Sequence, residues 1–262
     1  MQKIAKLGLS ILVGLVLSAC GSGGGNSSNT AKNPPIADNT PKTNNPSQSN
    51  NIPSTSDTGA ALILANQDDN VVEKRVEIND PSTSTLNVDG KAIRVSYKNS
   101  GIYAGTWLNI NGLHACCDKY SAVRFGIVKD GEKGYMFYNG SPTKSMPTSG
   151  TATYNGYALV TGNSAQFKDK DWLDGTSKFD ADFGTKKLNG TLNVDTLDAV
   201  NIAADISGNS FAGTANSAGF STQAKVEGKF YGDNAKELGG MFKDNSKIGD
   251  DKAWGGVFGA SQ

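Results

Sequence analysis

The chain has 262 residues with 25 basic and 25 acidic side chains, one histidine, three cysteines and 32 glycines. A formal net charge of zero leaves no basic excess to attract nucleic acid or an anionic lipid surface, which excludes both as electrostatic partners. The glycine count and an aromatic content of 8% are typical of a β-rich protein with many turns, in one large or two small domains.

Residues 1–19 have the pattern of a signal peptide. Lys3 and Lys6 precede an apolar run, Leu7 to Leu17, which is too short to span a membrane as a helix. Leu17-Ser18-Ala19-Cys20 resembles the lipobox of bacterial lipoproteins, and Gly21 follows where an aspartate would favour inner-membrane retention. We therefore expect a lipid anchor on Cys20 in the outer membrane, and the alternative is an ordinary secretory signal. Without residues 1–19 the chain keeps 23 basic and 25 acidic residues.

Residues 20–57 are rich in Gly, Ser, Asn, Pro and Thr and have almost no apolar side chain. Such a composition buries too little surface to offset the conformational entropy of the chain, so it predicts a disordered tether. A flexible tether of this length would hold the fold about 30–35 Å from the membrane on average.

Residues 58–149 are predicted to form a small β domain, which we call the handle. Val71 to Ile78 has the composition of a strand. Three hairpins follow, with their turns at Asp89-Gly90, Asn111-Gly112 and Asp130-Gly131. Asn-Gly and Asp-Gly are the dipeptides that type I′ hairpin turns favour, because both central residues need a positive φ.

Residues 150–262 show the most regular strand pattern. Phe179, Ala181 and Phe183 alternate with Asp180 and Asp182, as expected of a strand with one buried face. Short connections predict that successive strands are antiparallel neighbours, and glycine or alanine among the large inward residues suits a small closed barrel. The eight predicted strands are Thr151–Val160, Lys178–Phe183, Leu188–Val194, Val200–Ile206, Phe211–Ala215, Ala224–Phe230, Leu238–Phe242 and Trp254–Gly259.

The predicted fold is therefore all-β, with a C-terminal eight-stranded antiparallel up-and-down barrel after a handle and a tether. A transmembrane barrel is disfavoured, because the outward positions include Asp180, Lys225, Glu227 and Lys229 where lipid would require an apolar band.

Two cysteines remain once Cys20 is assigned to lipid. Cys116 and Cys117 are adjacent, and an exported chain meets an oxidising compartment. Two states are open for this pair: a vicinal disulfide, or two buried reduced thiols that pack as small apolar residues.

Several segments together resemble the barrel domain of the transferrin-binding protein B family of surface lipoproteins. They are Gly150–Gly156, Phe179–Leu192, Phe211–Ala215, Gly228–Phe242 and Gly256–Ala260. Ala115–Gly126 resembles the paired-cysteine segment before such a barrel. The resemblance implies a single-lobe relative exported to the cell surface, where its two-lobed relatives have a handle and a barrel in each lobe.

Two functions follow from this resemblance. The first is capture of a host iron or haem carrier, such as transferrin or haemoglobin, for a TonB-dependent outer-membrane transporter. The second is binding of a complement regulator or host surface molecule, in immune evasion or adhesion. We prefer the first, because the paired-cysteine segment resembles the transferrin- and haemoglobin-binding branch.

No enzyme or cofactor site is predicted. His114 is the only histidine, and no zinc-like ligand spacing, phosphate loop, nucleophile elbow or triad is present. His114 is interpreted as a solvated neighbour of the Asn111-Gly112 turn; the alternative, a haem ligand, comes from the resemblance alone.

Loops on a rigid scaffold are then the candidate binding elements. The candidates are Ser141–Gly150 with Met146, Gly162–Ser177 with Phe167 and Trp172, and Asp244–Lys252. Aromatic residues on loops often anchor partners. The alternative for Trp172 is that it caps one end of the barrel.

Overall fold

A computed structural model describes residues 56–67, 70–97, 107–110, 112–116, 119–168, 170–247 and 250–262. The signal peptide, Cys20, most of the tether and Cys117 lie outside these ranges. The described residues form strands and two short 3-10 helices, Ala165–Phe167 and Asp233–Ala235. Among them no helix is long and apolar enough to cross a membrane. The strands are β1 (Gly59–Gln67), β2 (Asn70–Ile78), β3 (Thr85–Val88), β4 (Lys91–Arg94), β5 (Leu108–Ile110), β6 (Leu113–Cys116), β7 (Val123–Asp130), β8 (Lys133–Gly140), β9 (Thr151–Gly162), β10 (Leu173–Asp182), β11 (Lys187–Val194), β12 (Val200–Ser207), β13 (Ser210–Asn216), β14 (Ala224–Tyr231), β15 (Glu237–Asp244) and β16 (Trp254–Ser261).

Strands β9 to β16 close into a barrel in which each strand pairs with its sequence neighbours and β16 pairs with β9. All pairings are antiparallel, so the predicted up-and-down barrel is confirmed. The largest difference concerns β10, which begins at Leu173 rather than at Lys178. Its first half contains Gly175 and an inward-facing Ser177, and therefore lacks the apolar alternation that marks its second half. Ser177 satisfies its buried hydroxyl by donating to the Gly259 carbonyl at 3.1 Å.

The barrel interior is a packed aromatic core. Alternate side chains of each strand point inward, as the burial pattern of β12 shows residue by residue. Glycines make room for the rings: a Cβ on Gly228 would lie 2.2 Å from the Phe211 ring, and one on Gly190 would lie 2.2 Å from the Phe179 ring. The fully buried phenylalanines of this core include Phe179, Phe211, Phe230 and Phe258.

The handle contains a six-stranded sheet in the order β2-β1-β8-β7-β6-β5, which we call the handle sheet, and a separate β3–β4 hairpin. The β3–β4 turn has φ of 52° at Asp89 and 73° at Gly90, as a type I′ turn requires. The hairpins predicted around the other two turns are also present, as β5–β6 and β7–β8.

Strand β1 was not predicted as a strand, and the reason is its double burial. Ala60 and Leu62 pack in the cluster that joins the sheet to the barrel, whereas Ala61 and Ile63 pack in the cluster beneath the β3–β4 hairpin. A strand buried on both faces reads as a continuous apolar run, so the period-2 signal is lost.

The face of the handle sheet that lies opposite the β3–β4 hairpin packs against the outer wall of the barrel, mainly on β15 and β16. Phe125 and Tyr138 of the sheet share one buried cluster with Met241 and Val257 of the barrel. Gly259 makes the close approach: a Cβ there would lie 2.2 Å from the Phe125 ring. The handle and the barrel therefore share a continuous core across this seam.

Candidate functional site

The strand registers place the three longest connections within the barrel, 163–172, 217–223 and 245–253, at one end of the molecule, which we call the loop end. It also carries the connection 195–199. The opposite end, the tether end, carries the barrel connections 183–186, 208–209 and 232–236, the ten-residue connection 141–150 from β8 to β9, and the C-terminal Gln262.

The handle is oriented so that its hairpin tips also lie at the loop end. At the tether end, Tyr231 at the foot of β14 donates to the Thr58 carbonyl at 3.0 Å. Towards the loop end, Glu73 of β2 lies 3.1 Å from the Lys243 ammonium of β15. The handle sheet is therefore aligned with the barrel, with its Thr58 end at the tether end and its Glu73 side towards the loop end. The hairpin tips at 89–90 and 131–132 therefore lie at the same end as the longest barrel connections. The described chain starts at Ser56, at the opposite end.

Three rings close the mouth of the barrel at the loop end. Phe220 stacks on Trp254 with centroids 4.3 Å apart and ring planes 4° apart, and Phe167 lies 6.3 Å from Phe220. Trp254 donates from Nε1 to the Thr222 carbonyl at 3.1 Å. Trp172 is not one of these three rings, so its alternative role, to cap one end of the barrel, is filled by other residues.

The three loop residues proposed as anchors are not brought together. Phe167 is only 2% exposed and belongs to the barrel core, so its ring is not offered to a partner in this conformation. Met146 packs against the core near the tether end. Trp172 is half-buried at the handle–barrel seam, next to His114. Which loops contact a partner stays a prediction.

The interpretation of His114 as a solvated turn neighbour is wrong. Its ring is 6% exposed and lies between Trp107, stacked at 5.0 Å, and Trp172 at 5.3 Å. Its Nε2 atom lies 2.9 Å from an Asp174 carboxylate oxygen on β10. Nε2 is engaged by Asp174 and Nδ1 is buried, so neither ring nitrogen is open to a haem iron in this conformation.

Buried charges tie the handle to β14 of the barrel. The Lys229 ammonium lies 2.6 Å from the Asp57 carboxylate, and neither side chain is exposed. Arg75 donates from Nε to both carboxylate oxygens of Glu227, at 2.8 and 2.9 Å. Glu227 and Lys229 do point out of the barrel, as predicted, but the handle covers them.

The buried carboxylates lead to a pH prediction. Burial raises the pKa of Asp57, against the opposing effect of Lys229, and burial likewise raises the pKa of Glu227 against Arg75. Between the ordinary value near 4 and the raised value, the folded state binds more protons than the unfolded state, so stability falls as pH rises. We expect wild-type stability relative to Asp57→Asn to decline as pH rises from about 4 to 7, measured by urea unfolding.

Asp182 supplies the control of opposite sign for this pH prediction. Hydrogen bonds from the backbone N–H groups of Thr185 and Gly184 lower its pKa. Its contribution is therefore lost as pH falls, so wild-type stability relative to Asp182→Asn should rise with pH. Parallel pH trends for the two variants would contradict the prediction.

Glu237 fixes the segment that leads into β7. Its carboxylate accepts hydrogen bonds from the Ser121 N–H at 2.8 Å, the Ser121 hydroxyl at 3.0 Å, and the Ala122 and Val123 N–H groups at 2.9 Å each. Glu237 is 2% exposed, so water cannot replace these bonds. One barrel side chain thus holds three successive residues of the handle.

Glu237→Gln is expected to lower the free energy of unfolding by about 2–4 kcal/mol, measured by urea denaturation. The amide keeps one acceptor oxygen but turns an NH₂ group towards buried donors. Glu132→Gln, at an exposed hairpin tip, is the matched control and should change stability by less than about 0.5 kcal/mol. Equal effects would mean that the Glu237 carboxylate is not bonded as described.

Cys116 ends β6, is 1% exposed and is disulfide-bonded. Its partner lies outside the described residues, so the pairing with Cys117 stays a prediction. Within the described ranges, no group of three or more His, Cys, Asp and Glu residues could hold a metal ion.

The fold defines a class: one handle sheet packed on one eight-stranded up-and-down barrel, whose three longest internal connections lie at the same end. A family profile described as the C-lobe and N-lobe β-barrels of Tf-binding protein B matches residues 146–262. The barrel of this chain therefore belongs to the transferrin-binding protein B-like family.

Relatives of two lengths are similar to this chain. An uncharacterised protein of Haemophilus influenzae is 39% identical over 99% of both chains. Transferrin-binding protein B of Neisseria meningitidis serogroup A is 39% identical over 131 residues, which cover 41% of this chain and 19% of that protein. The chain therefore spans a small part of this transferrin-binding relative.

Solved structures share the handle-and-barrel arrangement. The isotype 1 transferrin-binding protein B from serogroup B Neisseria meningitidis superposes with a TM-score of 0.57 at 25% identity, over 78% of this chain and 43% of that one. HpuA from Kingella denitrificans, solved with human haemoglobin, has a TM-score of 0.50 at 16% identity, over 80% of this chain and 88% of that one. The second likeness concerns the fold alone.

Proposed function

We propose that this chain is a lipid-anchored protein of the outer-membrane surface that binds a host iron-carrier or haem-carrier protein through its loop end. The observation that carries the proposal is that the two ends of the molecule differ. The long barrel connections and the handle tips occupy one end, and the chain enters at the other, where Asp57 is buried against Lys229.

This difference between the two ends suits capture from solution. A tether that leads from Cys20 to the tether end leaves the loop end facing away from the membrane. The seam holds the two halves of that end in a fixed relation, since they share a core and the Glu237 and Arg75 hydrogen bonds. A rigid scaffold that holds its binding loops at one end limits the conformational entropy that is lost when a large partner binds.

Family membership supports the chemical class of the partner. Transferrin-binding protein B is named for transferrin, an iron carrier, and a protein that shares the fold was solved in complex with human haemoglobin. Delivery to an outer-membrane TonB-dependent transporter is the second part of the proposal. No catalytic step is needed for either part.

The test is capture from human plasma supplemented with haemoglobin. The mature chain, from residue 21 onward, would be immobilised through its N-terminus so that the loop end stays free, and bound proteins would be identified by mass spectrometry. Recovery of transferrin, haemoglobin or a haptoglobin complex is the expected result. Recovery of a complement regulator without any of these would contradict the proposal and favour immune evasion, and recovery of nothing above a blank surface would also contradict it.

Membrane attachment has its own prediction. Cys20→Ser is expected to move the chain from the membrane fraction to the soluble fraction of the producing cell, because lipid on this cysteine is the proposed anchor. Cell fractionation followed by immunoblotting measures the change. Ser22→Ala, in the same segment, should leave the distribution unaltered, and a membrane-bound Cys20→Ser chain would contradict the lipid anchor.

A further inference from the structure

An open cleft of about 430 Å³ lies where the edge of the handle sheet meets the outer wall of the barrel. We call it the seam cleft. Trp107, which immediately precedes β5, forms the handle side, and outward residues of β9, β10 and β11 form the barrel side. The aromatic, hydroxyl, amide and carboxylate side chains that line it are Trp107, Tyr157, Asp174, Thr176, Asn193 and Asp195.

The barrel side of the seam cleft is a row of outward side chains fixed by strand pairing. Thr176 of β10 pairs with Tyr157 of β9 on one side and with Asn193 of β11 on the other. Asp174 lies two residues before Thr176 and shares the outer face of β10 with it. Asp195 follows the last residue of β11 and lines the cleft from the 195–199 connection. The floor thus presents hydroxyl, amide and carboxylate groups beside aromatic rings.

The charge of the cleft has one sign. The described residues that line it include two carboxylates and no ammonium or guanidinium group. Asp174 accepts from His114 and still keeps 49% of its side chain exposed, so it remains available to a second donor. At the margin, the Lys119 ammonium lies 5.4 Å from the centroid of the Tyr157 ring, so that ring already has a cation against it and the two carboxylates are the groups left to attract another.

The aromatic wall is held in place before any partner arrives. Trp107 stacks on His114 and meets the edges of Phe125 at 5.8 Å and Tyr157 at 6.2 Å. The same His114 contacts Asp174 through Nε2, so a single buried ring positions both the wall and one carboxylate. A site ordered in this way loses little conformational entropy on binding.

We propose that the seam cleft binds an arginine or lysine side chain of the host partner. The cation would lie between the Asp174 and Asp195 carboxylates and against the Trp107 ring. This inference rests on the proposed function, which it deepens by stating the chemistry of the partner surface. The cleft continues into the loop end, because Asp195 and Leu197 belong to the 195–199 connection.

A peptide titration tests the cleft without any host protein. The probe is acetyl-Gly-Arg-Arg-Gly-amide, and the control is the same peptide with citrulline, which keeps the shape of arginine and removes its charge. Two-dimensional amide NMR of the mature chain at low salt would follow the signals of Thr176, Asn193 and the Trp107 indole N–H. We expect saturable shifts with the arginine peptide, at least fivefold weaker binding of the citrulline peptide, and a loss of binding at high salt.

Two charge-reversal variants test whether the arginine peptide binds at the seam cleft. Asp195→Lys should weaken peptide binding at least fivefold. Asp205→Lys, an equally exposed position on the outer face of β12, should stay within twofold of wild type. The absence of shifts, equal binding of the citrulline peptide, or equal weakening by both variants would overturn the proposal.

The same variants separate this inference from the proposed function. Host-protein capture that is unchanged in Asp195→Lys would overturn the seam cleft as a partner contact while the proposed function stands. A wild-type chain that binds the arginine peptide at the cleft and captures no host protein would support the cleft chemistry and contradict the proposed function.

Discussion

Replacing Lys229 with methionine is expected to lower the free energy of unfolding by about 3–5 kcal/mol, measured by urea denaturation. The lysine ammonium lies 2.6 Å from the Asp57 carboxylate, both side chains are completely buried, and the ammonium also donates to the Ser210 hydroxyl at 3.0 Å. Methionine keeps the apolar stem but leaves the Asp57 carboxylate without its counter-charge. An unpaired carboxylate in such a site must be protonated or hydrated, and either costs stability.

Two further variants give this prediction its controls. The double variant Asp57→Leu/Lys229→Met removes both charges and should recover most of the loss, to within about 1 kcal/mol of wild type. Lys187→Met breaks an exposed pair with Asp205 and should change stability by less than about 1 kcal/mol. A Lys229→Met effect no larger than that of Lys187→Met would contradict the buried pair.

The pair has a consequence for binding as well as for stability. Asp57 is at the point where the chain leaves the tether, and Lys229 belongs to β14 of the barrel. Their contact fixes the tether to the end of the molecule that lies opposite the long loops. A variant that loses this contact should present the loop end in less uniform orientations to the surrounding fluid.

The double variant Glu132→Arg/Ser221→Arg is expected to weaken binding of the captured host protein at least tenfold. Glu132 lies at the β7–β8 tip and Ser221 in the 217–223 connection, so the two positions sample the handle and barrel halves of the loop end. Both side chains are exposed, so the substitutions should not affect folding. A large charged side chain inserted into an interface clashes and brings an unpaired charge, each of which costs affinity. Biolayer interferometry measures the change.

The matched control is Ser149→Arg/Asp233→Arg, which adds the same charge at exposed positions of the tether end. We expect its affinity to lie within twofold of wild type. Equal loss in the two double variants would show that added charge, and not the position of the binding surface, determines affinity. A loss confined to the tether-end variant would show that the partner binds at the tether end, which contradicts the proposed loop-end surface.

The barrel could be predicted from sequence because its determinants are local. Phe179, Ala181 and Phe183 alternate with aspartates, and the short Gly208-Asn209 turn between β12 and β13 requires antiparallel neighbours. The type I′ turn at Asp89-Gly90 is likewise encoded by two adjacent residues. Where burial on two faces removes the alternation, as in β1, the same reasoning finds no strand.

The seam could not be predicted, because its contacts join residues far apart in the chain. His114 and Asp174 are separated by 60 positions, and Glu237 and Val123 by 114. Lys229 and Glu227 alternate with apolar residues as solvated side chains of a half-exposed strand do, and no local signal shows that a second sheet covers them. Phe167 illustrates the same limit, since an aromatic residue in a loop was read as exposed while it fills the barrel mouth.

Hydrogen exchange of the chain with and without its captured host protein shows which end of the molecule the partner covers. We expect slower exchange in the complex at the loop end, in the connections 195–199, 217–223 and 245–253 and at the 131–132 tip. Exchange at the tether end, in 183–186, 208–209 and 232–236, should be unchanged. Protection confined to the tether end, with the loop end exchanging as in the free protein, would contradict binding through the loop end.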